Sequence, residues 1–488
     1  MDRKNGASFF SAEGTLGRLR TRKGVGAINM FLRSPRFVVL AAVLAALSSL
    51  LGLELPVYTA YIAVAVYVCL MGEDFLPVMP MAVCCYIAPS PGNNPGRNEG
   101  SVFYGPNGGY YLLALAGILA VCLVIRLVTD PDFGGLRFLK VKRALLPGML
   151  LLGGAYMLSG LGMKNYAEVF ANNLLFAFIQ FAAVFGLYFL FTGAVKWDRA
   201  PKDYLAWTAL TAGFVVFLQL LENYVGGRAF MDGTGTIDRE LMHTGWGMHN
   251  NIGVMIAMCM PFAFYLSTRS RRGWVFTVLG AVLLAGVVAS CSRTSMVVAA
   301  AAFAVCVVIL RRGSGDKKLL QRLLLAMAAV VAVVAVVLWD KLIVVFRLFF
   351  DELLIISSRD KLFVNGMKQF FRFPIFGGSF YPQMEYVPWD WSELEAFTSF
   401  FPPRWHCTWV QLGASCGVVG LAAYGYHRIQ TVRLFLKDRS PEKLFVAISL
   451  AVLLISALLD CHFFNVGPVL FYSMALAFAE NIGKSEMK

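Results

Sequence analysis

The sequence predicts an all-α, polytopic integral membrane protein of about 12–14 transmembrane helices. One long extracytoplasmic loop is expected to carry an amphipathic helix. Three observations lead there. The 488 residues are 58% hydrophobic and only 15% charged, with a mean hydropathy of +0.66, whereas soluble domains run nearer half apolar and a quarter charged. Apolar runs of about 18 residues recur along the whole chain, long enough to cross a bilayer as helices. Lys and Arg gather in alternate loops between those runs.

Taken in order, the clearest spans are Phe37–Leu53, Tyr110–Val128, Leu174–Val195, Tyr204–Leu221 and Ile252–Leu266. Val275–Ala289, Met296–Leu310, Leu323–Trp339, Leu444–Leu459 and Val466–Phe478 complete that set. Tyr58–Met71, Phe75–Ala88, Ala144–Leu161 and Val410–Tyr426 are shorter, or interrupted by Pro or Gly. Asp, Glu, Lys and Arg are scarce in the middles of these runs, whereas ion-coupled transporters carry such residues at mid-membrane. The pattern favours chemistry at a membrane face.

Placing Met1–Arg36 in the cytoplasm and alternating sides puts 31 of the 43 Lys and Arg residues on one face. They lie in the N-terminal segment, Arg126, Arg137–Arg143, Lys196–Lys202, Arg269–Arg272, Arg311–Arg322, Arg428–Lys443 and the C-terminus. This positive-inside bias predicts cytoplasmic termini. The net charge of +14 therefore reads as topology, and no nucleic-acid partner is expected. The first 36 residues are polar and basic and run directly into a full-length span, so no cleavable signal peptide is expected. The ten cysteines form no C-x-x-C pair. A disulfide among the outer-side Cys84, Cys85, Cys291, Cys407 and Cys461 stays open.

The polar material concentrates in four predicted outer segments: Pro89–Gly109, Glu222–Trp246, the tight Ser290–Ser295 turn, and Asp340 to about Trp409. The last has roughly seventy residues, far more than a simple connection needs. Within it, Leu353–Phe371 carries apolar residues at near-helical spacing with Arg359, Lys361 and Lys368 between them, as an interfacial helix would. Phe373-Pro374-Ile375-Phe376-Gly377-Gly378 then breaks it.

Three places could carry chemistry. Arg293, among the hydroxyls of Ser290–Ser295, is either an anion-binding fork or a snorkelling arginine beside helix-capping side chains. Arg359, at a helix start, fits either a bound phosphate or a basic face on lipid headgroups. His406, one of only five histidines, is either a general base or part of an interfacial aromatic belt with Trp405 and Trp409. Arg404, His243, Asn250 and Asp460 are possible supporting groups. His243 and His249 lack a nearby carboxylate pattern, so no metal is expected.

His406-Cys407, nine residues, then Gly417-Val418-Val419-Gly420 resembles a pattern of the O-antigen ligase and polymerase superfamily of bacterial membrane glycosyltransferases. Cys407 departs from it, standing where Asn, Ser or Gln is usual. Asn250-Asn251-Ile252-Gly253 with Pro261 is similar to the family's Asn-rich entry to an apolar span, and Ser292-Arg293-Thr294 to its Ser-Arg turn. Arg359 followed by Phe373-Pro374-Ile375-Phe376-Gly377 is similar to its Arg…Pro-x-x-Gly segment. The resemblance runs from about residue 240 to 425.

The resemblance implies a C-type glycosyltransferase, inverting and without metal or cofactor. An undecaprenyl-diphosphate-linked glycan would be the donor, and a glycan or lipid-linked hydroxyl the acceptor, on the outer face of a bacterial inner membrane. It implies Arg293 and Arg359 as diphosphate ligands and His406 as base. A polymerase of lipid-linked repeat units and a lipid-linked glycan flippase or exporter are the alternative readings. The expected division is a tail over 1–36, an N-terminal membrane region over 37–235, and a ligase/polymerase-like region over 236–482 containing loop 340–409.

Overall fold

The computed structural model describes residues 15–88, 108–129, 143–164, 166–227, 241–244, 247–313, 359–381 and 404–482, with short pieces at 229–230, 237, 318, 320–326, 329 and 336. These residues are almost wholly helical. The first helices are α1 (Thr15–Arg20), α2 (Lys23–Leu32), α3 (Pro35–Leu51), α4 (Glu54–Met71), α5 (Val78–Ile87) and α6 (Gly108–Thr129). Next come α7 (Leu146–Met157), α8 (Tyr166–Phe181), a π-turn over Ala182–Gly186, α9 (Leu187–Ala194) and α10 (Tyr204–Val225). A two-residue antiparallel ladder, β1 (His243–Thr244) with β2 (Gly247–Met248), leads into α11 (His249–Arg269). The remainder are α12 (Gly273–Ala289), α13 (Arg293–Gly313), α14 (Arg359–Arg372), α15 (Thr408–Lys437), α16 (Pro441–Ser456) and α17 (Val466–Asn481).

The polytopic all-α class is as the sequence predicts. Among the described residues, five helical stretches are long and apolar enough to cross a membrane: Glu54–Met71, Tyr166–Ala194, Tyr204–Val225, His249–Arg269 and Arg293–Gly313. Lys23–Leu32 and Pro35–Leu51, bent by 66°, make a sixth as a pair. Other apolar runs form shorter helices, such as Leu146–Met157 and Gly273–Ala289. Most of the run expected over Leu323–Trp339 lies outside the described residues, and residues 89–107 and the loop at 382–403 lie wholly outside them. All ten cysteines are free, so the disulfide left open above does not form.

Helix α11 occupies the centre. Every residue from Ile252 to Ser267 is buried, as expected of a helix that is apolar all round. Small residues let its neighbours approach closely. Gly213 of α10 lies against Cys259, Gly280 of α12 against Phe264, and Gly253 against Ser290, Ser292 and Ser295. Helix α16 runs antiparallel to α11: the Tyr265 and Phe445 rings meet at a tilt with centroids 6.0 Å apart, and Ser449 Oγ donates to the Met258 carbonyl at 2.6 Å. Asn250 meets Asp460 beyond the far end of α16. The bundle thus has a basic end, with Arg269, Lys202 and Lys443, and an opposite end where α11 and α13 begin.

Val410–Tyr426 is not one span. Gly417, at φ 63° and ψ −157°, breaks α15 into two arms, Thr408–Cys416 and Val418–Lys437. The arms fold back on each other: a Cβ on Gly413 would sit 3.6 Å from Leu421, and the Trp409 and Tyr424 rings are 4.9 Å apart. Eight residues separate Trp409 from the turn, about 12 Å of helix. The first arm therefore rises from His406, and the second descends past that level to the basic end.

The broken helix exchanges its hydrogen bonds with the Pro-x-x-Gly segment. Val418 N donates to the Pro374 carbonyl (2.8 Å) and Val419 N to that of Ile375 (3.2 Å). The carbonyls they would have used find other donors. Ala414 O accepts from Gly378 N (2.7 Å) and Gln369 Nε2 (3.0 Å), and Ser415 O accepts from Ser159 Oγ (2.7 Å). A Cβ on Gly417 would overlap the Ile375 carbonyl, and one on Gly377 the backbone of Ser415 and Cys416. Both glycines also sit at positive φ, where other residues are strained. Gly417→Ala is expected to destabilise the protein by about 2–4 kcal/mol. Gly425→Ala on the same helix, where a Cβ meets nothing, should be neutral; thermal unfolding in detergent compares the two.

Candidate active site

The turn before α15 is built around Gln411. Its Oε1 accepts from Trp405 N (3.0 Å) and the Cys461 thiol (3.5 Å), while Nε2 donates to Ser415 Oγ (3.1 Å). Thr408 N donates to the Ala457 carbonyl at 2.9 Å, tying this turn to the end of α16. Between these anchors His406 adopts φ 48°, an uncommon left-handed conformation that His tolerates better than most residues. Its Nδ1 lies 3.5 Å from Asp460 Oδ1, with the imidazole about one-fifth exposed. That nitrogen is buried and makes no hydrogen bond among the described residues.

Asp460 is held in turn. Its Oδ1 accepts from Cys461 N (2.6 Å) and its Oδ2 from Asn250 Nδ2 (3.2 Å). Asn250 Oδ1 accepts from Ser292 Oγ at 3.1 Å, and Ser292 Oγ lies 2.8 Å from Ser295 Oγ. A continuous line of polar side chains therefore runs from His406 through Asp460 and Asn250 to the hydroxyls beside Arg293. Asn251 braces the same corner, accepting from Asn465 Nδ2 (2.6 Å) and bonding His462 Nδ1 (3.1 Å). Burial and the neighbouring Asp460 push the Cys461 thiol up to about 12. It stays a protonated donor to Gln411 and is no nucleophile at neutral pH.

Arg404 enters the site from the same turn. Its guanidinium stands over the Phe176 ring at 5.3 Å and donates from Nη2 to the Phe464 carbonyl at 3.4 Å. Nη1 is buried with no hydrogen-bond partner among the described residues. Burial pulls its pKa below the ordinary arginine value, opposed by nearby Cys461 and Asp460. A buried cation with a spare donor favours an incoming anion.

Arg293 is the first residue of α13, half-buried and one position from Ser292. Cys291 before it takes φ 55°, which lets two long helices meet with no loop between them. Arg359 opens α14, whose Gly366 backbone lies against Trp405 and Val410 and whose Phe370 lies against Gly413. Helix α14 thus runs alongside the first arm of α15, and its backbone starts at the His406 end; the Arg359 side chain lies outside the described residues. His243 pairs with Met248 through the backbone, and its side chain also lies outside them. The structure joins His406, Asp460, Asn250 and Ser292 by side-chain contacts and brings Arg404 beside them.

Sequence reading alone did not assign Ser292, Asn251 and Gln411 their roles. The Asn-Asn pair at the head of α11 was a usable signal, because two adjacent amides at the mouth of an apolar helix need partners.

Together these elements define a multi-pass α-helical membrane protein with a histidine–carboxylate–amide–hydroxyl chain at one end of its bundle. Residues 281–425 match the family model described as O-antigen ligase. That stretch, which contains Arg293, Arg359, His406, Gly417 and Gly420, is similar to the O-antigen ligase family and supports that superfamily for this part of the chain. A search of curated proteins finds no match to the chain. Asn250 and Asp460, which complete the polar chain, lie outside the matched segment.

Cys407, the departure from the family pattern, is the N-cap of α15 and makes no side-chain capping bond. A hydroxyl or amide there would satisfy a free N–H group of the first turn. Cys407→Ser is expected to fold normally and gain up to about 1 kcal/mol, read as a higher thermal midpoint. Asn250→Leu leaves Ser292 and Asp460 short of a partner and should cost about 1–3 kcal/mol in the same measurement.

Proposed function

We propose that the protein transfers a glycan from a polyprenyl-diphosphate carrier, undecaprenyl in the bacterial setting of this family, to an acceptor hydroxyl. The reaction takes place at the extracytoplasmic face of the cytoplasmic membrane. The observation that carries this reading is the polar chain from His406 to Ser292, with Arg293 at one end and Arg404 beside the other. In the proposed mechanism the acceptor oxygen attacks the anomeric carbon as the bond to the diphosphate breaks, inverting that centre. The hydroxyl proton passes to His406. With Nδ1 facing Asp460, Nε2 is the nitrogen available to take it, and the carboxylate steadies the imidazolium that results.

Charge builds on the departing diphosphate. Arg293 and Arg359, with Arg404 as a third cation, supply the fork-like donors that stabilise it. Ser292 and Asn250 position the arginine-bearing turn relative to the base, and Asp460 orients His406. The same site chemistry serves a ligase, which delivers a finished chain to a terminal acceptor, and a polymerase, which extends a carrier-linked chain.

His406→Ala should lower glycan transfer about 10²–10⁴-fold in membranes supplied with a lipid diphosphate donor; undiminished transfer at normal expression would sink the base assignment. Arg359→Lys separates charge from geometry. A bidentate contact is lost with lysine, whereas transfer at the wild-type rate leaves only a point-charge role. Labelling Cys291 with a membrane-impermeant thiol reagent in intact cells should succeed, and labelling only from the cytoplasmic side reverses the orientation.

A further inference from the structure

At the opposite end of the bundle a cleft of about 680 Å³ opens between α2, the end of α4, α6 and the segment after α9. Helix α11 separates the two ends by about 30 Å. Four cations line the cleft: Arg20, Lys23, Arg126 and Lys196. The carboxylate among them, Glu73, is engaged by Arg33 at 3.5 Å and Arg199 at 3.6 Å. The wall therefore carries a surplus of positive charge.

Part of this charge is structural. Arg20 Nε (2.9 Å) and Arg126 Nη1 (3.2 Å) both donate to the Leu70 carbonyl, and Asn29 Nδ2 donates to that of Met71 (3.2 Å). These bonds close the C-terminal end of α4, where cations are favoured. Lys23 and Lys196 are exposed, and their ammonium groups make no ion pair among the described residues. Arg126, only 3% exposed, is held at the back of the cleft, where a solvated surface cation would not be found.

The surroundings suit a lipid. Helix α2 leaves α3 at 66°, so that with α3 across a bilayer α2 lies towards its plane. Ile28, Met30 and Phe31 of α2 are 45%, 72% and 40% exposed, and Met30 lines the cleft beside Lys23. Apolar side chains next to basic ones on such a helix are the arrangement of an interfacial anchor. We propose that this cleft binds the phosphate of an anionic lipid headgroup, with Lys23 and Lys196 as its free cations and Arg126 at its back.

The test uses the full chain in nanodiscs of phosphatidylcholine and phosphatidylglycerol, with the phospholipid retained after extraction read by native mass spectrometry. Wild type should retain phosphatidylglycerol selectively, and Lys23→Gln with Lys196→Gln should lower that retention about thirtyfold. Gly26 and Ala27 line the cleft, and a Cβ on Gly26 meets nothing within 4 Å. Gly26→Leu therefore fills the space without touching the charges, with Ala27→Leu as a second filling variant should the first fail to fold. Loss of retention in a filled variant supports a built site. Retention unchanged in the filled variants shows diffuse surface attraction and overturns it. Displacement of the lipid by soluble glycerol phosphate at millimolar concentration assigns the cleft to a free phosphate ester and overturns the lipid.

Discussion

The backbone exchange at Gly417 is the contact on which the rest of the site depends. Inside a membrane protein a helix cannot be interrupted cheaply, because each released N–H and C=O needs a new partner away from water. Here Val418 and Val419 donate to Pro374 and Ile375, and the Ala414 and Ser415 carbonyls accept from Gly378, Gln369 and Ser159. Breaking α15 therefore requires α14, the Pro-x-x-Gly turn and the end of α7 to be in place together. Once they are, the first arm of α15 is fixed, and with it the turn that holds Arg404 and His406.

This arrangement explains why a degenerate pattern spread along the chain can act as one unit. The glycine at 417 and the Pro-x-x-Gly at 374–377 face each other as a lock between backbones. The polar groups at 250, 292, 406 and 460 make a second lock between side chains. Helix α11 carries one end of the second lock and is buried from Ile252 to Ser267, so its head is held on a rigid support. The matched segment contains the proposed base, His406, and both predicted diphosphate arginines, while Asn250 at the head of α11 and Asp460 just beyond α16 supply the contacts around that imidazole.

Much of the helical layout was legible, because long apolar runs and the Lys/Arg asymmetry are local signals. The motif residues were legible as residues and less so as structure. His406, nine positions and Gly417 read in sequence as the entry to a span, but the pattern encloses a reversal, and periodicity is blind to a single residue at positive φ. The partners of the Asn250-Asn251 pair lie 42, 210, 211 and 214 residues away, beyond any local pattern. Arg428 was equally silent. Its guanidinium stands over the rings of Tyr424 (4.3 Å), Phe463 (4.6 Å) and Tyr472 (5.0 Å), three aromatics from separate elements that only the fold collects.

The hairpin in α15 turns a count of residues into a depth gauge. Each residue of its first arm adds about 1.5 Å of rise and 100° of rotation. One inserted residue between His406 and Gly417 would keep every motif letter yet swing the imidazole to another side of the arm, away from Asp460. Chain length in that arm is thus constrained as tightly as residue identity, and the second arm is pinned in turn where His427 and Arg428 meet the Tyr472 hydroxyl (2.7 and 2.6 Å) and Gln430 accepts from Gly148 N (2.9 Å).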